Sequence, residues 1–299
     1  MFGRFMALAS SLALSGCVAA AQSAPKLEGA VTAQEWAETC KPWDVWDKPA
    51  PPFKVHGNAY YVGTCGISAI LILGDQNHVL IDTGTQKGSE VVLANLRALG
   101  ATPKDIGLIF YSHEHFDHVG GLAFIQQATG APILSAPEAV ETFRTGKDNP
   151  ADPQAGIHEP MAPVASVIPL TTGMQIHFGE MSFTPIATPG HTPGALTWQW
   201  ESCDGNDCKT IVYADSLSPI SGNDYKFSDH PEYVAKFRAG LDRLAALECD
   251  ILLTPHPSHS QMVKRAATGS FVGGMTCEEY AAKKHRDLDD RLAKEKADQ

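Results

Sequence analysis

The sequence of 299 residues lacks an excess of positive charge. Its 23 lysines and arginines are outnumbered by 34 aspartates and glutamates, which gives a formal net charge of −11. Proteins that bind nucleic acid place lysine and arginine against the phosphate groups. This charge balance therefore argues against a nuclease or any other nucleic-acid-binding function.

The sequence also lacks an apolar run long enough to cross a bilayer. Residues 5–14 are apolar or small, whereas a spanning helix needs about 20 such residues. This run follows Arg4 and is typical of a secretory signal, which we place at residues 1–16. The run ends in Leu14-Ser-Gly-Cys17, which resembles the bacterial lipobox, and cleavage after residues 19–21 is the alternative. We expect export to the periplasm, with attachment to the outer membrane if Cys17 is lipidated.

No internal repeat and no change of composition divides the rest of the chain. We expect a linker over residues 17–35 and a single domain over residues 36–299, which is long enough for one large core. Short apolar runs broken by glycine and proline predict strands, and apolar residues at helical spacing predict helices. The predicted helices cover residues 89–99, 119–128, 137–145, 231–247 and 277–296.

Six cysteines remain once Cys17 is set aside, and an even set in an exported protein indicates disulfides. They are Cys40, Cys65, Cys203, Cys208, Cys249 and Cys277. Cys203 and Cys208 flank the tip of a predicted hairpin, so this pair is expected to bond. Spacing alone does not determine the other pairs, and free buried thiols are the alternative.

The segment His113-Glu-His-Phe-Asp-His118 places four potential metal ligands within six residues. It follows a buried strand predicted at residues 106–111 and precedes a helix, so it forms a turn that can direct several side chains at one point. Imidazole nitrogens and a carboxylate suit zinc, and four ligands exceed what one tetrahedral ion takes from one loop. We therefore predict two metal ions. A polar turn that caps a helix is the alternative.

Other polar residues end predicted strands and could join this loop. His191 lies between two Pro-Gly turns, and His256 follows the last predicted strand. Asp82 and Asp215 also end strands. Residues 146–164 form a long irregular loop of the kind that is often functional, and its His158 could contact a substrate or simply face solvent.

The segment 113–118 resembles the signature of the metallo-β-lactamase superfamily, and the likeness extends over roughly residues 36–290. Three further features resemble the class B, subclass 3 β-lactamases: the export signal, Leu252-Leu-Thr-Pro-His-Pro257, and serines in place of a metal-binding cysteine at Ser216 and Ser218. The resemblance implies an α/β fold, a four-layer αββα sandwich of two mixed sheets with helices on the outer faces.

The same resemblance implies the composition of the site. One Zn²⁺ would be bound by His113, His115 and His191, and a second by Asp117, His118 and His256. The two ions would share an activated water held as hydroxide, with Asp117 orienting it and relaying its proton. Ser216 and Ser218 would hold the substrate carboxylate. The implied activity is hydrolysis of the cyclic amide of penicillins, cephalosporins and carbapenems by a monomer.

The resemblance also implies disulfides between Cys40 and Cys65 and between Cys249 and Cys277, and a supporting role for Asp82 behind the metal loop. Glu114 stands where relatives have a small residue, and we expect it to point away from the metals. Two other functions remain open. A lactonase or thioesterase of the same fold would use Asp215 as a bridging ligand, and a zinc-binding lipoprotein would have no activity.

Overall fold

The computed structural model describes residues 27–158, 160–222 and 224–297. The predicted signal peptide and Cys17 lie outside these residues. Within these ranges no helix combines the length and apolar composition that a bilayer crossing requires.

The first sheet has seven strands in the order of the chain. Strands β1 to β4 pair antiparallel, and β4 to β7 pair parallel. Parallel neighbours need crossover connections, which the helices after β4, β5 and β6 provide. The strands are β1 (Phe53–His56), β2 (Ala59–Tyr61), β3 (Ile70–Ile72), β4 (His78–Ile81), β5 (Ile106–Phe110), β6 (Ile133–Ser135) and β7 (Val167–Pro169).

The second sheet has five strands in the order β12-β11-β10-β9-β8. All its neighbours are antiparallel except β11 and β12, so this sheet is also mixed. Its strands are β8 (Ile176–Phe178), β9 (Met181–Ala187), β10 (Leu196–Asp204), β11 (Asp207–Tyr213) and β12 (Ile251–Leu253).

Eight α-helices accompany the sheets in the described part of the chain. They are α1 (Ala33–Thr39), α2 (Gly88–Ala98), α3 (Phe116–Val119), α4 (Leu122–Thr129), α5 (Val140–Thr145), α6 (Pro231–Ala245), α7 (Met262–Ala267) and α8 (Cys277–Ala297). Three single 3₁₀ turns lie at Pro103–Asp105, Pro137–Ala139 and Phe227–Asp229.

Alternation along the strands divides the apolar residues between two cores. In β11, Ile211 and Tyr213 join the larger core between the sheets, whereas Val212 joins a second core with α6 and α8. Successive side chains of a strand point to opposite faces, so β11 is buried on both sides. Between the sheets, Phe110 of β5 stacks on Trp198 of β10 with 3.8 Å between ring centroids. The sheets therefore pack face to face with helices outside, the αββα arrangement implied by the sequence.

The last part of the segment expected as a linker, residues 17–35, is folded against the domain. Thr32 and Glu35 form a capping box at the start of α1, and Val31 pairs with Phe53 of β1. Trp36 of α1 is fully buried and lies 5.1 Å from both Phe53 and Tyr61 between ring centroids. A single aromatic anchor fixes this helix, which is why no helical period marked it.

The described residues contain three disulfides, which join the pair expected from the hairpin and the two pairs implied by the resemblance. Cys203 and Cys208 are direct partners across the β10–β11 hairpin. Cys40–Cys65 ties the segment after α1 to the loop after β2. Cys249–Cys277 ties the segment before β12 to the first residue of α8.

Candidate metal centre and active site

The loop that carries the motif is held from below by a buried carboxylate. Asp82, which follows β4, accepts hydrogen bonds from the backbone N–H of Ser112 at 2.7 Å and from its hydroxyl at 2.8 Å. The hydroxyl of Tyr213 donates to the same carboxylate at 2.7 Å, and Nδ1 of His118 lies 3.9 Å from it. Asp82 has a φ of +60°, a strained conformation that these contacts keep in place.

The side chains of His113 and His115, from this loop, converge with that of His191. Their available ligand atoms all lie within 4.8 Å of one another, and all three side chains are buried. The turn between β9 and β10 contributes His191. Nε2 of His113 is buried and has no hydrogen-bond partner among the described residues, which is the state expected of a nitrogen that binds a metal ion.

A second group is formed by Asp117, His118 and His256. Oδ2 of Asp117 lies 3.0 Å from Nε2 of His118 and 3.3 Å from Nε2 of His256, and these two nitrogens are 3.3 Å apart. Tetrahedral zinc with bonds of about 2.0–2.2 Å separates its ligand atoms by about 3.3–3.6 Å. The three atoms therefore fit one zinc ion, and His113, Asp117 and His118 also lie close enough for the two groups to adjoin.

In the first group, the ring nitrogens that face away from the centre have protein partners. Nε2 of His115 pairs with Oδ2 of Asp152 at 2.9 Å, and Nδ1 of His191 donates to the carbonyl of Ser218 at 2.9 Å. Such contacts fix the orientation of a ligand imidazole and leave its other nitrogen free for the metal.

Asp215 lies behind His113. Its Oδ1 is 2.8 Å from Nδ1 of His113, in a direction poor for a linear hydrogen bond, and its Oδ2 accepts the N–H of Leu217 at 3.0 Å. Burial raises the pKa of Asp215 to about 7. The residue thus contacts the outer side of a ligand imidazole.

The pKa directions of three ligands favour the protonation states that metal binding requires, whereas nearby carboxylates outweigh burial and raise the pKa of His115 and His118. Burial, with the charge of neighbouring histidines, holds the pKa of His113 and His191 well below the usual value, so both are neutral. Burial opposes ionisation of Asp117, but His118 and His256 more than offset it and hold its pKa well below the usual range. Neutral imidazoles and an ionised carboxylate are the forms that bind zinc.

The two serines expected at the substrate side lie next to this centre. Ser216 is fully buried, and its hydroxyl has no partner among the described residues. Ser218 is also buried, and its hydroxyl donates to the carbonyl of Ser216 at 3.2 Å. The hydroxyl of Tyr280, in α8, donates to that same carbonyl at 2.8 Å. Helix α8 therefore packs against the loop of residues 214–218, which we call the serine loop.

Glu114 points away from the ligand atoms, as expected. Its carboxylate accepts the hydroxyl of Thr192 at 2.5 Å and the N–H of Gly194 at 2.8 Å. These bonds join the metal loop to the turn that carries His191. Burial raises the pKa of Glu114 to about 7.

Aromatic side chains border the centre. Trp46, which is 40% exposed, lies 5.7 Å from Phe116 and 6.1 Å from His256 between ring centroids. A cavity of about 440 Å³ adjoins the metal loop, and Trp46, Phe116 and Met161 contribute to its lining. This is the size and character of a site for a small organic molecule.

The family model described as the metallo-β-lactamase superfamily matches residues 62–256, which contain all six candidate ligands. The chain belongs to the metallo-β-lactamase superfamily.

Solved structures of metallo-β-lactamases resemble the chain over most of its length. The MIM-2 metallo-β-lactamase is 51% identical, with 90% of this chain and 100% of that chain covered and a TM-score of 0.84. The MIM-1 enzyme from Novosphingobium pentaromativorans is 42% identical, with 89% and 98% covered and a TM-score of 0.83. MEM-A1, a subclass B3 metallo-β-lactamase from a soil metagenome library, is 34% identical, with 85% and 100% covered and a TM-score of 0.82. Within the superfamily, the chain is therefore most like subclass B3.

Curated relatives are more distant. A probable metallo-hydrolase of Methanocaldococcus jannaschii is 28% identical over 45% of this chain and 63% of its own length. A hydroxyacylglutathione hydrolase of Albidiferax ferrireducens is 30% identical over 60% of this chain and 57% of its own length. The chain thus spans less than two thirds of either protein.

Sequence reasoning missed two residues of this metallo-β-lactamase site. Asp152 lies in the irregular loop of residues 146–164, where no period or motif marks it, and only its pairing with His115 shows its position. Lys284 lies in α8 on a helix with a predominantly polar sequence, yet its side chain is buried against Ser218. His158, for which solvent exposure was one expectation, is half-buried and lies 4.9 Å from Phe116 between ring centroids.

Proposed function

We propose that this protein is a zinc-dependent β-lactamase that hydrolyses the amide bond of the β-lactam ring. The observation that carries the proposal is the 51% identity to the MIM-2 metallo-β-lactamase over the whole of that chain. The convergence of two three-residue groups beside a pair of buried serines supports it.

We assign two zinc ions per chain, one to His113, His115 and His191 and one to Asp117, His118 and His256. Bound zinc would polarise the lactam carbonyl and acidify a water molecule at neutral pH. Asp117 remains ionised, so its carboxylate can orient the attacking water and accept its proton. Its oxygen is held by two histidines, which leaves the carboxylate little freedom to turn away.

We assign substrate orientation to Ser216 and Ser218. The hydroxyl of Ser216 has no protein partner among the described residues and can donate to an anionic group of the substrate. Ser218 is coupled to the centre because its carbonyl holds Nδ1 of His191. A carboxylate bound at this loop would place the lactam ring over the ligand cluster, and the cavity near Trp46 can accommodate the ring substituents.

A second candidate is a lactonase or thioesterase, which the likeness to a hydroxyacylglutathione hydrolase supports. Such an activity was predicted to need Asp215 as a bridging ligand. The placement of Asp215 against the outer nitrogen of His113 favours the β-lactamase.

The substrate class is tested by offering one zinc-loaded preparation a chromogenic cephalosporin, an acyl-homoserine lactone and a glutathione thioester. We expect the cephalosporin to be hydrolysed with a kcat/KM at least a hundredfold above the other two, a difference of about 2.7 kcal/mol in transition-state binding. Hydrolysis of only the lactone or the thioester would overturn the proposal. Zinc binding with no hydrolysis at all would favour a zinc-carrying lipoprotein.

We also propose that the protein is exported as a monomer to the periplasm and lipidated at Cys17. The three disulfides support an oxidising compartment. Incorporation of radiolabelled palmitate into the wild-type chain, and its loss in Cys17→Ala, would establish the anchor. A labelled Cys17→Ala chain would show that the lipid is attached elsewhere.

A further inference from the structure

Lys284 is a buried cation next to the active site. Its side chain is 2% exposed, and Oδ2 of Asp287, on the solvent edge of the same helix, lies 3.9 Å away. The described part of the chain offers no carboxylate oxygen nearer to its Nζ. The ring of Tyr280 lies 5.3 Å from Nζ, within the range of a cation–π contact, but it carries no negative charge. Burial of an ammonium group without a close partner is costly, so its retention calls for an explanation.

The contact that Lys284 does make leads into the site. Its Nζ donates to Oγ of Ser218 at 2.7 Å. Because the ammonium group occupies a lone pair of this oxygen, the Ser218 hydroxyl keeps its hydrogen for donation and becomes a stronger donor. That hydrogen now points to the carbonyl of Ser216, a weak contact of 3.2 Å that a charged acceptor could displace.

The charges around the serine loop indicate a role for the Lys284 ammonium group. Asp152 and Asp215 contact His115 and His113 of the neighbouring centre, and the whole chain carries a net charge of −11. Beyond the reach of the bound zinc ions, an anionic substrate would meet a negative field as it approaches the protein. The ammonium group of Lys284, which donates to the Ser218 hydroxyl, offsets that field at the position where the anion is held.

We propose that Lys284 is a positioning residue that acts through Ser218 to bind the carboxylate of the substrate. The inference rests on the proposed β-lactamase function and adds to it the residue that makes the subsite selective for anions. Lys284 does not touch the substrate; it polarises the hydroxyl that does and supplies the counter-charge.

The weak ion pairing of Lys284 in the free protein agrees with this role. Burial lowers the pKa of Lys284 to about 7, and the groups that act on it are Lys283 and Asp287 on α8, Asp215 on the serine loop and His259 after β12. A bound carboxylate would add a second counter-ion to Asp287, which lies 3.9 Å away, and would thereby favour the charged amine.

The test uses a pair of substrates that differ only in the carboxylate: a chromogenic cephalosporin and its methyl ester. We expect Lys284→Met to raise the KM of the acid about five- to fiftyfold, the effect of removing one charge that acts over several ångströms in a polar site. The kcat for the acid, both constants for the ester and the zinc content should stay within about twofold. Lys283→Met is the matched control, because it removes the same charge from a side chain 43% exposed on the same helix. It should change neither kcat nor KM for either substrate.

Three results would overturn the inference. Equal losses on acid and ester would show that Lys284 only supports the fold, and an unchanged KM for the acid would show that its charge is not used. Failure of the wild-type protein to hydrolyse the acid would remove the proposed function itself, and this inference with it. If Lys284→Met does not fold, the ratio of KM for acid to KM for ester is measured on the wild type from about pH 6 to about pH 9. This ratio should rise with pH as the amine loses its proton, and a flat ratio would contradict the proposal.

Discussion

Glu114 shows how one residue can order a metal site without binding the metal. Its carboxylate accepts hydrogen bonds from the hydroxyl of Thr192 and the N–H of Gly194, the first and third residues after His191. A buried donor left without a partner costs about 1–3 kcal/mol, and here the donors belong to the turn that presents a ligand. The orientation of His191 should therefore depend on Glu114.

We expect Glu114→Ala to weaken zinc binding to the three-histidine group about tenfold. Glu114→Gln, which still offers an acceptor to Gly194 and can reverse the bond to Thr192, should stay within about threefold of the wild type. Competition between the protein and a chromogenic chelator measures both. Equal zinc affinity in Glu114→Ala and the wild type would mean that the His191 turn is held by other contacts.

The pKa of Lys284 predicts a dependence of stability on pH. Its folded value of about 7 lies below the ordinary lysine value of 10.5, so between these values the unfolded chain binds a proton that the folded chain releases. The free energy of unfolding should rise with pH across this window, by at most about 1.4 kcal/mol per pH unit. Lys284→Met should lack this contribution.

Denaturant unfolding of the zinc-loaded wild type and Lys284→Met from about pH 7 to about pH 10 would measure it, with Lys283→Met as the exposed control. The stability of the wild type should increase relative to Lys284→Met as the pH rises. A constant difference between them would show that Lys284 titrates at its ordinary value.

Site residues that follow strands could be predicted from the sequence, whereas site residues inside helices and long loops could not. His113, His191 and His256 each follow an apolar run, and such positions meet at one edge of a sheet. Lys284 is a lysine on a polar helix, a pattern that predicts exposure. Its burial follows from the packing of α8 over the serine loop, which no local pattern encodes.

At the scale of elements, the N-terminal segment that follows α1 forms one wall of the site. Trp46 is partly exposed and lies beside His256 and Phe116. We expect Trp46→Ala to raise the KM for β-lactams with bulky substituents about threefold to tenfold, a loss of about 1 kcal/mol of apolar contact, at constant zinc content. Trp43→Ala, which alters a side chain 69% exposed, is the comparison. An unchanged KM in Trp46→Ala for every substrate would show that Trp46 does not contact the substrate.

Helix α8 depends on the disulfide at its first residue. Cys249 and Cys277 are separated by 28 residues in sequence, whereas Cys203 and Cys208 are separated by 5. Because a longer closed loop restricts the unfolded chain more, replacing the first pair by alanine should lower the free energy of unfolding by about 3–4 kcal/mol and the second by about 2 kcal/mol. Calorimetry or denaturant unfolding distinguishes the two. The opposite order would show that the hairpin, not α8, is the element that needs its covalent link.

The longer elements followed from the sequence, whereas the shortest ones did not. Helix α6 has apolar residues at helical spacing, so the prediction of residues 231–247 lies within two residues of its observed bounds. Strand β1 has four residues and helix α7 has six, too few to show a period. They form because neighbouring elements cover them.

At the scale of the whole molecule, the fold brings four distant segments to one edge of the sandwich. The metal loop follows β5, the His191 turn joins β9 and β10, the serine loop follows β11, and His256 follows β12. The first motif indicated the family, and the family implied the αββα architecture. Spacing alone would not have predicted which sheet carries each segment, because strand order depends on pairing between residues far apart in sequence.

The central claim is that the six converging side chains bind two zinc ions that act together on a β-lactam. The most direct measurement is a titration of the metal-free protein with zinc while hydrolysis of a chromogenic cephalosporin is recorded on the same sample. We predict that hydrolysis is absent without metal, rises with added zinc and reaches its plateau at two ions per chain. A protein that binds two zinc ions and hydrolyses no β-lactam, or that reaches full activity with none bound, would contradict the account.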